Sequence, residues 1–212
     1  MTSDELIDQL SAHLAPVPRH ALAQRLALGV ALGMSAALLG VLWLGLRADL
    51  VPALGGYTFW MKAGYTASLG AIALAFTAQQ ARPDAPGWRQ PGLLALPVIV
   101  LAVIAIAQLA QTPTAQWREL WLGGSWKACS TYILLLAVPV YAGLLWAFRR
   151  AAPTRLRAAG AAAGLCAGAS AATVYGLHCG EVSALFVLTW YTLGIAAATG
   201  LGALLGARLL RW

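Results

Sequence analysis

Three cysteines, three histidines and one lysine placed within an apolar run are the side chains of this 212-residue chain best suited to chemistry beyond packing. His178 directly precedes Cys179, and Glu181 follows two residues later. Imidazole, thiolate and carboxylate beside one another are the donors that zinc, cadmium or copper take. Cys129 stands 50 residues earlier and must be brought to Cys179 by the fold. Cys129, Cys179 and His178 are therefore candidate ligands for a transient soft metal ion. The same two thiols suit three other readings: a redox-labile pair, a structural disulfide in an oxidising compartment, or two unrelated free thiols. No C-x-x-C is present, and neither a resident cofactor nor enzymatic chemistry is expected.

The elements that position these residues are membrane helices. Crossing the hydrocarbon core takes roughly 20 apolar residues, because each backbone polar group must be bonded within its own segment. Six windows meet or approach this, at about 26–46, 57–78, 92–111, 128–148, 158–177 and 182–207. The expected fold is all-α, a six-helix transmembrane bundle over residues 26–212, preceded by a polar segment over residues 1–25. A hydrophobic content of 60% with only 10% charged residues fits a polytopic membrane protein and leaves little chain for a folded soluble domain. Residues 1–25 lack the basic start of a signal peptide, so the segment is expected to be retained.

Charge sets the orientation. Arg19, Arg25, Arg82, Arg89, Arg149, Arg150, Arg155, Arg157, Arg208 and Arg211 fall on one side of the six windows; Arg47, Arg118 and Lys127 fall on the other. Ten against three predicts cytoplasmic termini, with Cys129 and Cys179 on the outer rim. The basic residues are scattered at span ends, so the net charge of +7 points to the lipid bilayer as partner and not to direct contact with nucleic acid.

Depth separates the cysteines. Cys129 opens the fourth window and Cys179 lies between the fifth and sixth, whereas Cys166 sits roughly 16 Å inward, too deep to reach either. Cys166 reads as a small buried hydrophobe. Lys62 lies about 8 Å below the outer rim and is expected to snorkel to the surface among Tyr57, Phe59, Trp60 and Tyr65, or to meet a carboxylate such as Glu181 or Glu119. Trp117, Trp121 and Trp126 suit an interfacial shelf on that rim. Gly160, Gly164, Gly168, Ala172 and Gly176 in the fifth window, with Gly194, Ala198, Gly202 and Gly206 in the sixth, predict close backbone packing of an antiparallel hairpin. Pro97 and Pro139 fall inside spans and predict kinks.

The N-terminal segment predicts a short amphipathic cytoplasmic helix capped by Ser3, with Asp4 and Glu5 in its first turn. Leu6, Leu10 and Leu14 share one face, with Ile7 beside it and Asp4, Glu5 and Asp8 making it acidic. Too short to fold alone, it reads as a partner-binding segment that orders on contact.

Several runs carry a resemblance. Asp4-Glu5-Leu6-Ile7, Pro16-Val17-Pro18-Arg19, Thr58-Phe59-Trp60-Met61-Lys62 and Gly124-Ser125-Trp126-Lys127-Ala128-Cys129 lie in the first two thirds of the chain. The stretch from Pro139 to Trp146 with Arg149-Arg150, then Ala152-Pro153-Thr154-Arg155, Leu177-His178-Cys179 and Gly206-Ala207-Arg208-Leu209-Leu210-Arg211-Trp212, complete the set. Together, and in this order, they resemble the NrsF-type membrane anti-sigma factors. The resemblance implies a six-span protein of the bacterial inner membrane that sequesters an extracytoplasmic-function sigma factor. It also implies a response to heavy-metal or oxidant stress at two periplasmic-side cysteines, whose motifs here hold Cys129 and Cys179; Cys166 lies outside that pattern. Two other classes compete. A small-molecule or ion transporter should use polar sites deep in the bilayer, and a membrane thiol oxidoreductase should pair cysteines in one loop. No Asp or Glu falls at a midplane position and no such cysteine pair occurs.

Overall fold

The computed structural model describes residues 2–12, 20–82, 92–151 and 153–211, without the side chains of Asp8, Leu10 and Ser11. Leu14, one of the expected contact residues, lies outside them.

Helix α1 spans Ser3–Ser11. Its cap is Thr2 and not Ser3: the Thr2 N–H donates to Glu5 Oε2 at 2.7 Å, and the Glu5 N–H donates to Thr2 Oγ1 at 3.4 Å. This reciprocal pair is a capping box, which requires the hydroxyl three residues before the carboxylate, and Thr2 holds that position relative to Glu5. Ser3 is already in the first turn.

Six long helices follow: α2 (Ala21–Leu44), α4 (Tyr57–Gln80), α5 (Gly92–Ala110), α7 (Trp126–Phe148), α8 (Leu156–Tyr175) and α10 (Thr192–Leu209). Short helices α3 (Leu50–Leu54) and α6 (Trp117–Leu122) lie in the connections. The one-turn α9 (Ala184–Phe186) runs through a π-helical turn, Val187–Tyr191, into α10. Among the described residues there is no strand. The fold is all-α, and with α9 and the π-helical turn counted together with α10 as Ala184–Leu209, the long helices begin and end within about five residues of the expected windows.

Among the described residues, five helical segments are long and apolar enough to cross a membrane, and they make this a membrane protein. Helix α4, although 24 residues long, is not among them. Its polar side chains are turned into the protein: Lys62, Thr66, Thr77 and Gln80 are all buried. A helix lined in this way scores as less apolar while still presenting Tyr57 and Trp60 outward.

Helix α8 is the most buried of the candidate spans. Its alanines and glycines leave almost bare backbone, and the expected packing with α10 is present. A Cβ at Gly160 would collide with the backbone of Gly202 and Gly206, and one at Gly164 with the Ala198 carbonyl. The stripe stops short of Gly176, whose near neighbours belong to its own helix. A second glycine seam, not anticipated, joins α2 to α7: Gly29 and Gly143 oppose each other, and a Cβ at Gly33 would strike Val140 and the Pro139 carbonyl. Where lipid is as apolar as leucine, this close approach supplies the dispersion that holds helix to helix.

Candidate functional site

One end of the bundle collects the start of α4 and α7, the end of α2, α5 and α8, and the loop from Gly176 to Ser183. This loop carries Cys179, and it is clamped from four sides. The Arg47 N–H donates to the Leu177 carbonyl at 3.1 Å, and Arg47 Nη1 donates to the Cys179 carbonyl at 3.4 Å. From α4, Lys62 Nζ donates to the carbonyls of Cys179 at 2.9 Å and Glu181 at 2.7 Å. From α5, Gln108 Oε1 accepts the Ala184 N–H at 2.9 Å. From α7, the Gly124 and Ser125 N–H groups and the Ser125 hydroxyl donate to Glu181 Oε1 at 2.8, 3.1 and 3.1 Å.

The last clamp places a carboxylate on the uncapped start of α7, where backbone N–H groups are unpaired and the helix dipole favours negative charge. Gly123 makes it possible. Its φ of +57° suits glycine, and a Cβ there would lie 2.6 Å from Glu181 Oε2. Because Cys129 sits one turn into α7, the same contact brings it against Cys179.

The two thiols are buried, Cys129 at 0% and Cys179 at 3% exposure. The Cys129 thiol beside Cys179 favours its thiolate form and pushes its pKa down to about 5, against its burial, with help from the Tyr191 hydroxyl, the Glu181 backbone N–H and the Lys62 ammonium. The Tyr191 hydroxyl lies fully buried beside the pair without a well-formed hydrogen bond. It is carried on the π-helical turn. On the rim, Arg47 forks onto Asp49 with two 2.7 Å bonds and holds that carboxyl down to about 2.

The structure thus joins Cys129 to Cys179 and separates both from Cys166, which packs in another cluster with Phe148 and Ala163. His178 departs from the expectation of a third ligand. Its Nδ1 is 2.6 Å from the Gly45 carbonyl and its ring packs on Tyr132 and Tyr175. Among the described residues no three His, Cys, Asp or Glu side chains are grouped to hold a metal ion. What the donors suit is a soft ion bound by two thiolates, or a change of sulfur oxidation state.

Lys62 also departs from expectation: at 2% exposure it neither snorkels nor meets a carboxylate side chain. An ammonium has three donors, and two loop carbonyls accept from it, which offsets part of the cost of its burial. Trp121 and Trp126 do gather on this rim, but around Trp190, whose indole N–H donates to the Trp121 carbonyl at 2.8 Å. Arg47, Ser125, Gln108, Tyr175 and Tyr191 were not singled out by the sequence. The only local signs were the Arg47–Asp49 spacing and the one-turn spacing of Tyr175 from Cys179.

Two comparisons bear on what this site belongs to. The pattern of the NrsF family, described as negative regulator of sigma F, matches residues 10–212. The chain belongs to the NrsF family. Relatives extend the match to the whole length. A protein of Caulobacter vibrioides named anti-sigma-F factor NrsF is 42% identical over 214 residues, covering all of both chains. A protein of Azospira oryzae named probable anti-sigma-F factor NrsF is 40% identical over 213 residues, again covering all of both. No solved structure matches the chain. The relatives are named as regulators, which sets the thiol pair in the context of control.

Proposed function

We propose that this protein is an anti-sigma factor of the bacterial inner membrane. It holds an extracytoplasmic-function sigma factor through residues 1–25 and releases it when Cys129 and Cys179 bind a soft metal or are oxidised. The observation that carries the regulatory role is the full-length correspondence with two relatives named as anti-sigma-F factors. The sensing half of the reading is supported by the contact between two buried thiols, one of them biased toward thiolate, at the end with fewer basic residues.

In this reading α4 is the sixth span and both termini are cytoplasmic, on the ten-to-three charge asymmetry. The capped helix α1 offers Leu6 and Ile7 to a partner, both exposed, with Asp4 and Glu5 beside them and Asp8, Leu10 and Leu14 further along. A change at the thiols acts where α4, α7 and α8 are tied together, and a coupling of about 1–3 kcal/mol would alter sigma binding about 5- to 150-fold.

The test is recovery of the tagged full-length protein from its native membranes, with identification of what accompanies it. A sigma factor that leaves when cadmium or peroxide is added, and is absent with Leu6→Asp plus Leu10→Asp, is the expected result. Preparations without a sigma factor, from wild-type cells kept free of stress, would overturn the proposal. An alkaline phosphatase fused after Trp212 should be inactive; an active fusion would reverse the topology.

A further inference from the structure

At the end of the bundle opposite the thiols, the start of α8 and the end of α10 enclose an open cleft of about 420 Å³. Arg155, Leu156, Arg157, Ala158, Ala207 and Arg211 line it. Three of these six are arginines, and none is acidic. Among the described residues the single salt bridge is Arg47–Asp49 at the other end, so none of the described carboxylates lies within ion-pair reach of these guanidinium groups. The cleft also receives the start of a 20-residue helix whose N-cap, Arg155, provides no side-chain acceptor. The first intrahelical bond recorded there is from the Ala159 N–H to the Arg155 carbonyl, which leaves the N–H groups of Leu156, Arg157 and Ala158 without helical acceptors.

Three guanidinium groups, uncapped amides and the positive end of a helix dipole all select for one ligand chemistry, a phosphate monoanion or dianion. Two sequence features place its source in the bilayer. The cleft lies where α8 and α10 leave their apolar runs, at the level where lipid phosphates sit. Leu204, Leu205 and Leu209 on the last turns of α10 are exposed next to it. The close packing of Gly160 against Gly202 and Gly206 keeps the two helix ends near enough for one headgroup to touch both.

We infer that this cleft is a binding site for the phosphate headgroup of an anionic phospholipid, held by Arg155, Arg157 and Arg211 across the α8–α10 junction. The inference rests on the chain crossing a bilayer and is independent of the anti-sigma reading. A lipid there would cross-link the ends of the two helices, joining the most buried helix to the C-terminal one.

The experiment uses the delipidated full-length protein in neutral detergent. Native mass spectrometry counts bound phosphatidylglycerol against phosphatidylcholine, in the wild type, Arg155→Gln with Arg157→Gln, Arg211→Gln, and the control Arg149→Gln with Arg150→Gln. Phosphatidylglycerol should be retained preferentially. Its affinity should fall about tenfold or more when a charge-assisted partner is removed, and it should be unchanged in the control. Arg211→Lys, which keeps charge and loses the fork, should fall between wild type and Arg211→Gln. Circular dichroism confirms that each variant keeps its helices, and a variant that loses them is replaced by its lysine counterpart. Equal loss in the control pair would reduce the site to general rim charge. Displacement of the lipid by an equal concentration of inorganic phosphate would assign the cleft to a soluble anion. Unchanged lipid binding alongside lost sigma binding would assign it to an acidic protein segment. Each of these three results overturns the inference.

Discussion

Lys62 Nζ lies 2.9 Å from the carbonyl oxygen of Cys179, so the buried lysine of α4 is committed to the backbone of the thiol loop. The same ammonium bonds the Glu181 carbonyl at 2.7 Å. It therefore fixes both the position of Cys179 and the carboxylate that anchors the loop to α7. Removing it by Lys62→Met should free two buried carbonyls at a cost of about 2–5 kcal/mol. Thermal unfolding in detergent reads that loss, and maleimide labelling of Cys179 should accelerate as the loop opens. A variant as stable as wild type, with unchanged labelling, would mean that the two bonds contribute nothing.

The Cys179 pKa, pushed down to about 5, predicts a pH profile. A folded-state pKa below the unfolded value of about 8.5 gives stability that is present above that unfolded value. It declines as pH falls and is lost on passing through about 5. Alkylation by a small uncharged reagent should accordingly rise with a midpoint near 5 at Cys179, and this midpoint should move up in Cys129→Ala, which has no side-chain donor. A midpoint at about 8.5, the free-cysteine value, at Cys179 in the wild type would contradict the stabilised thiolate.

Substitution of the sulfur and imidazole groups separates the possible signals. Cys129→Ser and Cys179→Ser should each blunt induction of the sigma regulon by cadmium or peroxide, while Cys166→Ser, in a different cluster, should leave it intact. His178→Ala should also leave it nearly intact, because the ring is bonded to Gly45 and not aimed at the thiols. A normal response in the double serine variant removes the cysteine sensor, and loss of cadmium response in His178→Ala restores the imidazole as a ligand.

Glycines on the α8–α10 seam and off it should behave in opposite ways. Gly164→Ala places a methyl against the Ala198 carbonyl and should destabilise by about 1–3 kcal/mol through overpacking. A Cβ at Gly200 meets nothing within 4 Å, so Gly200→Ala should gain about 0.5–1 kcal/mol from helix propensity. Equal effects in thermal unfolding would show that the seam is not tightly packed.

The all-α fold and its helix windows were legible in residues 26–212 because spanning a bilayer is a local requirement: every backbone bond closes within the segment, so length and apolarity suffice. The α8–α10 glycine seam was legible for a related reason, since four-residue spacing is a property of one helix face. The expected separation of Cys166 from Cys129 and Cys179 is present, since Cys166 packs in another cluster. The α2–α7 seam was not legible, because Gly29 and Gly143 acquire meaning only once their helices meet. Thr2 was overlooked although Glu5, its partner in the capping box, stands three residues on.

At the thiol site the sequence determined the residue types and the rim on which they lie. Tertiary structure alone decided their partners. Lys62 turned inward because the cysteine loop packs over it and offers two carbonyls, and His178 is held by the Gly45 carbonyl at the end of α2. Arg47, Gln108 and Ser125 reach the cysteine loop from positions 54 to 132 residues away in the chain. Hydrogen-bond partners at such separations depend on how helices pack, and no period or spacing within a single segment encodes them.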